Sequence, residues 1–212
     1  MKLDSKSLKL YAVTDRGWLK EGETLKEKVE EAIEGGVTFV QLREKNMDPK
    51  NFFDEAVEIK EVCQKKNIPF VIDDDVELAK KVGADGVHVG QSDMELENAR
   101  KILGPDAIIG VSAQNVYQAL EAEKNGADYL GVGAVFPTSS KDDAVEVTHD
   151  TLQEIATAVK IPVIAIGGIS SENLTKLKGR GIVGIAVISA IFGQENVKEA
   201  AEKLDGILDK IL

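Results

Sequence analysis

Apolar residues recur along this chain in short runs, separated by polar or glycine-bearing turns and by longer charged stretches whose apolar residues fall at helical spacing. The runs within 9–14, 38–43, 69–73, 86–90, 107–112, 129–136, 162–167 and 184–189 are rich in β-branched and aromatic side chains, and they read as eight strands. Between them, Thr24 with Glu27 forms a capping box ahead of Leu25, Val29, Ala32 and Ile33, and Asp48-Pro49 supplies an N-cap followed by a first-turn proline. Further helix starts are read at Asp150 with Gln153, at Ser170-Ser171 and at about Asn196, from which the last helix runs to the end. Strands alternating with helices imply a parallel sheet with helices outside. Eight of each in this order predict a single (β/α)8 barrel domain over residues 1–212, with no linker or low-complexity segment to mark a second unit. A doubly wound sheet shares the alternation, but no G-x-G-x-x-G follows the first strand.

Composition agrees with that reading. The 212 residues are 43% hydrophobic and 30% charged, with 19 Gly and 5 Pro, which is the balance of a globular chain. At this length roughly 70% of the surface of the unfolded chain is buried on folding, so the core needs neither disulfides nor structural zinc. The single Cys63 has no internal partner, and no Cys/His spacing suits zinc. A net charge of -11 argues against nucleic acid or an anionic membrane as the main partner, so an anionic ligand would have to be met by local cations. The opening MKLDSKSLKLYAVTD lacks the apolar stretch of a signal peptide, and no apolar run reaches the ~18 residues of a membrane span. The expectation is a cytoplasmic protein without nucleic-acid or membrane partners; the sequence leaves a homo-oligomer open.

In a barrel, chemistry gathers at the C-terminal ends of the strands. The most informative end is Phe39-Val40-Gln41-Leu42-Arg43-Glu44-Lys45, where strand alternation puts Gln41, Arg43 and Lys45 on one side and Val40 and Leu42 on the other. A guanidinium and an ammonium side by side suit a polyphosphate, although a frayed strand end of solvated charge reads the same way. The third strand ends Asp73-Asp74-Asp75 and the fourth Gly90-Gln91-Ser92-Asp93. Carboxylates on neighbouring strand ends can supply oxygen ligands for Mg²⁺, while Asp74 with Glu77 and Ser92 with Glu95 read equally as helix caps. Ser112 ends the fifth strand. The connection 137–147 after the sixth is the longest, a candidate lid carrying Thr138, Ser139, Ser140 and Lys141. Gly167-Gly168 and Ser189 follow the seventh and eighth strands, where barrels of this class often bind phosphate. His88, between Val87 and Val89, points away from them and reads as a hydrogen-bonded core histidine; neither His149 nor Cys63 is given a role.

Gln41-Leu42-Arg43-Glu44-Lys45, Asp74, Gly90-Gln91-Ser92-Asp93, Gly110-Val111-Ser112, Phe136-Pro137-Thr138-Ser139-Ser140-Lys141 and Ile166-Gly167-Gly168-Ile169 stand in this order, and with them the chain resembles the thiamine-phosphate synthase family. The resemblance implies an enzyme that joins an aminopyrimidine methyl diphosphate to a thiazole phosphate, releasing pyrophosphate with the help of Mg²⁺. By matching positions, Gln41, Arg43, Lys45, Ser112 and Lys141 would bind the pyrimidine diphosphate, with Arg43, Lys45, Lys141 and Ser112 serving the reaction itself. Asp74 and Asp93 would hold Mg²⁺. Thr138 and Ser140 would meet the thiazole phosphate, completed by Gly168, Ile188 and Ser189. Three departures stand out: Asp73 replaces a usual Asn and turns a neutral diphosphate contact into a carboxylate, Ser140 replaces a usual Thr, and Gln114 stands where many relatives have His. The related thiazole tautomerase would want a histidine near position 114, and a non-catalytic phosphate-binding barrel is the other reading.

Overall fold

The computed structural model describes residues 3–90, 96–138 and 145–212. Its strands are β1 (Leu10–Val13), β2 (Phe39–Leu42), β3 (Phe70–Asp73), β4 (Gly86–Val89), β5 (Ile108–Ala113), β6 (Tyr129–Val132), β7 (Val163–Ile166) and β8 (Gly184–Val187). Each runs parallel to the next and β8 closes on β1, so the expected barrel is observed. Around it lie α1 (Leu25–Glu34), α2 (Pro49–Lys66), α3 (Val76–Val82), α4 (Leu96–Leu103), α5 (Val116–Lys124), α6 (His149–Ala158), α7 (Ser189–Phe192) and α8 (Val197–Ile211).

Local sequence explains most of the helix boundaries. Thr24 Oγ1 accepts from the Glu27 amide while the Glu27 carboxylate accepts from the Thr24 amide, a reciprocal cap worth about 1 kcal/mol to α1. Asp48 caps α2 ahead of Pro49, and Asn67 ends it in the left-handed conformation (φ 56°).

Two starts differ from expectation. Helix α6 is capped by Thr148, whose hydroxyl accepts from the Thr151 amide at 3.1 Å, and not by Asp150. Val147 is buried and its amide donates to Ala134 at 2.7 Å, so Thr148 is the first residue free to turn, and Asp150 falls in the first turn, where it pairs with Arg180 at 2.7 Å. Ser170-Ser171 opens no α-helix. Asn173 accepts from the Ser170 amide at 2.9 Å and donates to the Gly168 carbonyl at 2.8 Å, and the turn it closes leads only into a 3-10 turn at Leu174–Leu177.

Alternation along the strands builds two apolar layers. Leu10, Val40, Ile72, Val87, Ile109, Leu130, Val163 and Ile185 point outward and are fully buried or nearly so under the helices, at about 1.5–3 kcal/mol for each large side chain removed from water. Inside the barrel, Tyr11, Phe39 and Tyr129 pack as an aromatic plug, with ring centroids 4.4 Å apart for Tyr11 and Phe39 and 5.9 Å apart for Phe39 and Tyr129. Above the plug the inward positions turn polar at Gln41, Asp73, His88 and Ser112, and there the barrel opens.

Candidate active site

A cavity of about 680 Å³ occupies the mouth of the barrel at the C-terminal strand ends. Its walls include Gln41, Arg43 and Lys45, the three side chains that alternation puts on one side of β2 and its extension. Arg43 anchors this wall: its amide donates to Thr14 Oγ1 at 3.0 Å, and the residue is only 7% exposed. Within that burial, its Nε and Nη2 have no hydrogen-bond partner among the described residues. Buried guanidinium N–H groups that stay open are the chemistry of an anion receptor, because a bidentate anion would satisfy both. Asp73 lies beside Arg43, with Oδ2 3.4 Å from Nε.

The structure separates the two readings of the β3 end. Asp75, not Asp74, caps α3, its carboxylate accepting from the Leu78 amide at 2.8 Å. Asp74 is left on the cavity wall in the left-handed region (φ 61°), and its amide donates to the His88 carbonyl at 2.9 Å. A non-glycine residue held there costs of order 1 kcal/mol, and such strain recurs where a side chain is aimed for function. An exposed carboxylate on a fixed backbone at the rim of the cavity, beside Arg43 and Lys45, is a hard oxygen donor of the kind Mg²⁺ takes, so the donor chemistry fits. Asp93, the other expected ligand, lies outside the described residues, as do Ser140 and Lys141.

Beneath the cavity a chain of hydrogen bonds crosses the barrel. Gln41 Nε2 donates to the Tyr11 hydroxyl at 2.8 Å, the Tyr11 and Tyr129 hydroxyls are 2.9 Å apart, Tyr129 is 2.9 Å from His88 Nδ1, and His88 Nε2 is 3.0 Å from Ser112 Oγ. Gly110 makes the crossing sterically feasible. It pairs with His88 on one side and Tyr129 on the other, and a Cβ there would fall 2.1 Å from the Tyr129 ring and 2.5 Å from His88 Nδ1. Burial pushes both tyrosines well above the usual phenol range, and the negative charge of Asp73 adds to the effect. They therefore stay neutral and act as hydrogen-bonding groups, not as bases. His88 is the inward, hydrogen-bonded histidine expected, but it also lines the cavity. The connection through Tyr11 and Tyr129 went unread, although both sit at inward strand positions.

On the opposite wall, Thr138, Gly168, Ile188 and Ser189 come together from the ends of β6, β7 and β8. Gly168 has φ +66°, and a Cβ there would meet the carbonyl oxygens of Pro137 at 2.3 Å and Phe136 at 2.6 Å, so only glycine lets these two loops close around the cavity. The Gln114 side chain also lines the cavity, its backbone N–H donating to Gln118 Oε1 at 2.8 Å. An uncharged amide cannot carry the proton transfers of a tautomerase.

Behind the cationic wall sits a group the sequence did not single out. Arg16 bonds Glu44 Oε1 at 3.0 Å and also pairs with Glu55, whose second oxygen is buried without a partner. Burial pushes Glu44 up to about 7, with Glu55 acting in the same direction and Arg16 against both.

The family described as thiamine monophosphate synthase matches residues 10–191. The chain is 53% identical over 201 residues to the thiamine-phosphate synthase of Clostridium tetani, covering 95% of this chain and 96% of that one. To the synthase of Methanobrevibacter smithii it is 46% identical over 202 residues, covering 95% and 96%. Among solved structures, thiamine phosphate pyrophosphorylase from Pyrococcus furiosus superposes with a TM-score of 0.90 at 43% identity, covering 98% of both chains.

Proposed function

The chain belongs to the thiamine monophosphate synthase family, and from that premise we propose how the residues at the barrel mouth carry out its reaction. The activity is that of a thiamine-phosphate synthase, a transferase. The pyrimidinylmethyl group of 4-amino-2-methyl-5-(diphosphooxymethyl)pyrimidine moves to the ring nitrogen of a thiazole phosphate, giving thiamine phosphate and pyrophosphate.

In the proposed assignment the diphosphate is received by Arg43 and Lys45, joined by Lys141, while Gln41 and Ser112 orient the aminopyrimidine. Thr138, Gly168, Ile188 and Ser189, joined by Ser140, take the thiazole phosphate. Asp74 and Asp93 would hold Mg²⁺, which supplies positive charge against the diphosphate oxygens when bound. As the bond between the methylene carbon and the diphosphate oxygen breaks, its electron pair leaves with pyrophosphate, and the cations of Arg43, Lys45 and Lys141 meet that charge where it develops. The electron-rich aminopyrimidine spreads the positive charge left on the methylene carbon. The lone pair of the thiazole nitrogen then forms the new C–N bond, so the protein holds two reactants in line and supplies no nucleophile of its own.

The observation that carries this reading is the buried Arg43 guanidinium with its Nε and Nη2 open at the cavity. The deciding experiment mixes both phosphorylated precursors with and without Mg²⁺ and follows thiamine phosphate and pyrophosphate together. Equal appearance of the two products in the Mg²⁺ arm is expected; absence of both, with both precursors shown to bind, would refute the assignment.

A further inference from the structure

Leu42 of β2 pairs with Ile72 of β3, so the next residue of each chain, Arg43 and Asp73, emerge side by side into the barrel mouth. Both side chains are more than nine-tenths buried, at 7% and 9% exposure. Their contact is electrostatic without being a hydrogen bond: Oδ2 stands 3.4 Å from Nε, and among the described residues neither Nε nor Nη2 has a hydrogen-bond partner. This is an unusual arrangement for a buried arginine and carboxylate, which ordinarily lock into a bidentate fork. Here Asp73 offsets the buried positive charge without occupying the donors that an incoming anion needs. Removing a guanidinium from water with no countercharge is costly, and the carboxylate meets that need in the unliganded site. Once an anion sits on Arg43, the same carboxylate is a negative charge only a few ångströms from it.

We propose that Asp73 is a displaceable counter-ion for Arg43: it compensates the buried guanidinium while leaving its donors open before the diphosphate arrives, opposes a bound diphosphate, and takes back the compensation of Arg43 when pyrophosphate leaves. This rests on the assignment of Arg43 to the diphosphate. Asp73 is then a positioning residue that trades affinity for release. The competing role for a carboxylate at this rim, direct metal ligation, predicts the opposite sign for its neutralisation.

The test is calorimetric titration of the full chain with inorganic pyrophosphate, once with Mg²⁺ and once with excess chelator, on the wild type and on Asp73→Asn, Asp73→Ala and Arg43→Ala. Both Asp73 variants are expected to bind pyrophosphate about tenfold more tightly in either condition, as loss of a nearby like charge requires. The alanine variant lacks an amide that could itself hold the anion, so tightening by asparagine alone would overturn the proposal. In a background carrying Arg43→Ala the gain should vanish. Steady-state kinetics should split, with both KM for the diphosphate substrate and kcat falling while KM for the thiazole phosphate holds. Unchanged or weaker pyrophosphate binding by both variants would overturn the counter-ion role, and weakening confined to the Mg²⁺ arm would assign Asp73 to the metal. Should Arg43→Ala leave pyrophosphate binding intact, the diphosphate assignment itself would fall.

Discussion

Gln41 on β2 and Ser112 on β5 are the two ends of one hydrogen-bonded chain through Tyr11, Tyr129 and His88. Its sense is set at the Gln41 end. With the Gln41 amide donating to Tyr11, every buried proton of the chain finds an acceptor in it when Tyr11 donates to Tyr129, Tyr129 to His88 Nδ1, and His88 Nε2 to Ser112. Gln41 keeps its carbonyl oxygen as an acceptor, and the Ser112 proton is directed away from His88. Donor and acceptor at the two ends of this chain, on opposite sides of the cavity floor, are thus specified together.

Tyr129→Phe should break this chain in the middle and leave His88 Nδ1 without its Tyr129 bond, at a cost of about 1–3 kcal/mol in stability. We expect kcat/KM for the pyrimidine diphosphate to fall about tenfold, consistent with the loss of one net hydrogen bond at a site that must be oriented, while KM for the thiazole phosphate is unchanged. Denaturant unfolding and two-substrate kinetics check both parts. An equal rise in both KM values would mean general disruption instead.

Arg43→Ala should lower kcat/KM by at least about 100-fold, the range for a single electrostatic donor at a reacting centre. A near-normal rate in that variant would remove Arg43 from the reaction.

Asp74 and Asp75 should separate cleanly. Asp74→Asn keeps a residue that tolerates φ 61°, so the fold should hold while the Mg²⁺ concentration for half-maximal activity rises. Asp75→Ala removes the cap of α3 and should cost about 1 kcal/mol with little change in the metal profile. A metal titration of both variants, together with thermal melts, reads the two effects; a metal profile unchanged in Asp74→Asn would return Asp74 to a purely structural part.

The raised Glu44 carboxyl has a stability signature. Its folded-state value of about 7 lies above the ordinary 4.5, so the folded chain holds this proton more tightly than the unfolded one. The stability it contributes is present below 4.5 and lost as pH rises through about 7. The melting temperature of the wild type relative to Glu44→Gln should therefore fall across that window. A parallel pair of profiles would show that Glu44 does not titrate there.

Cys63 should be inert in the folded protein. Burial pushes its thiol up to about 12, so almost no thiolate exists at neutral pH, and the side chain is fully buried. A thiol reagent applied at about pH 8 should label nothing until denaturant is added, and then one thiol per chain. Rapid labelling of the native protein would place Cys63 at a more open position.

Short β-branched and aromatic runs between turns suffice to find all eight strands, and alternation suffices to put Gln41, Arg43 and Lys45 on one wall, because both facts are local. What stayed hidden depends on which residues meet across strands. The contact of Asp73 with Arg43 follows from the β2–β3 register, and the link from Tyr129 to His88 follows from a glycine standing between them on β5. Helix starts failed where tertiary contacts chose among several capping residues: Val147, pinned to Ala134, handed the α6 cap to Thr148, and Asp75 took the α3 cap that Asp74 with Glu77 also suggested.

In β2, β3, β4 and β5 the outward face is apolar, while the inward face carries Gln41, Asp73, His88 and Ser112 at the barrel mouth. Shifting any one of these four strands by a single residue would exchange its two faces, driving Gln41, Asp73, His88 or Ser112 into the layer beneath the helices and setting an aliphatic side chain in its place. Correct pairing and catalytic competence are therefore one event. A chain closed in the wrong register would lose core and chemistry together, which makes turnover itself a sensitive reporter of whether the barrel has closed in its native alignment.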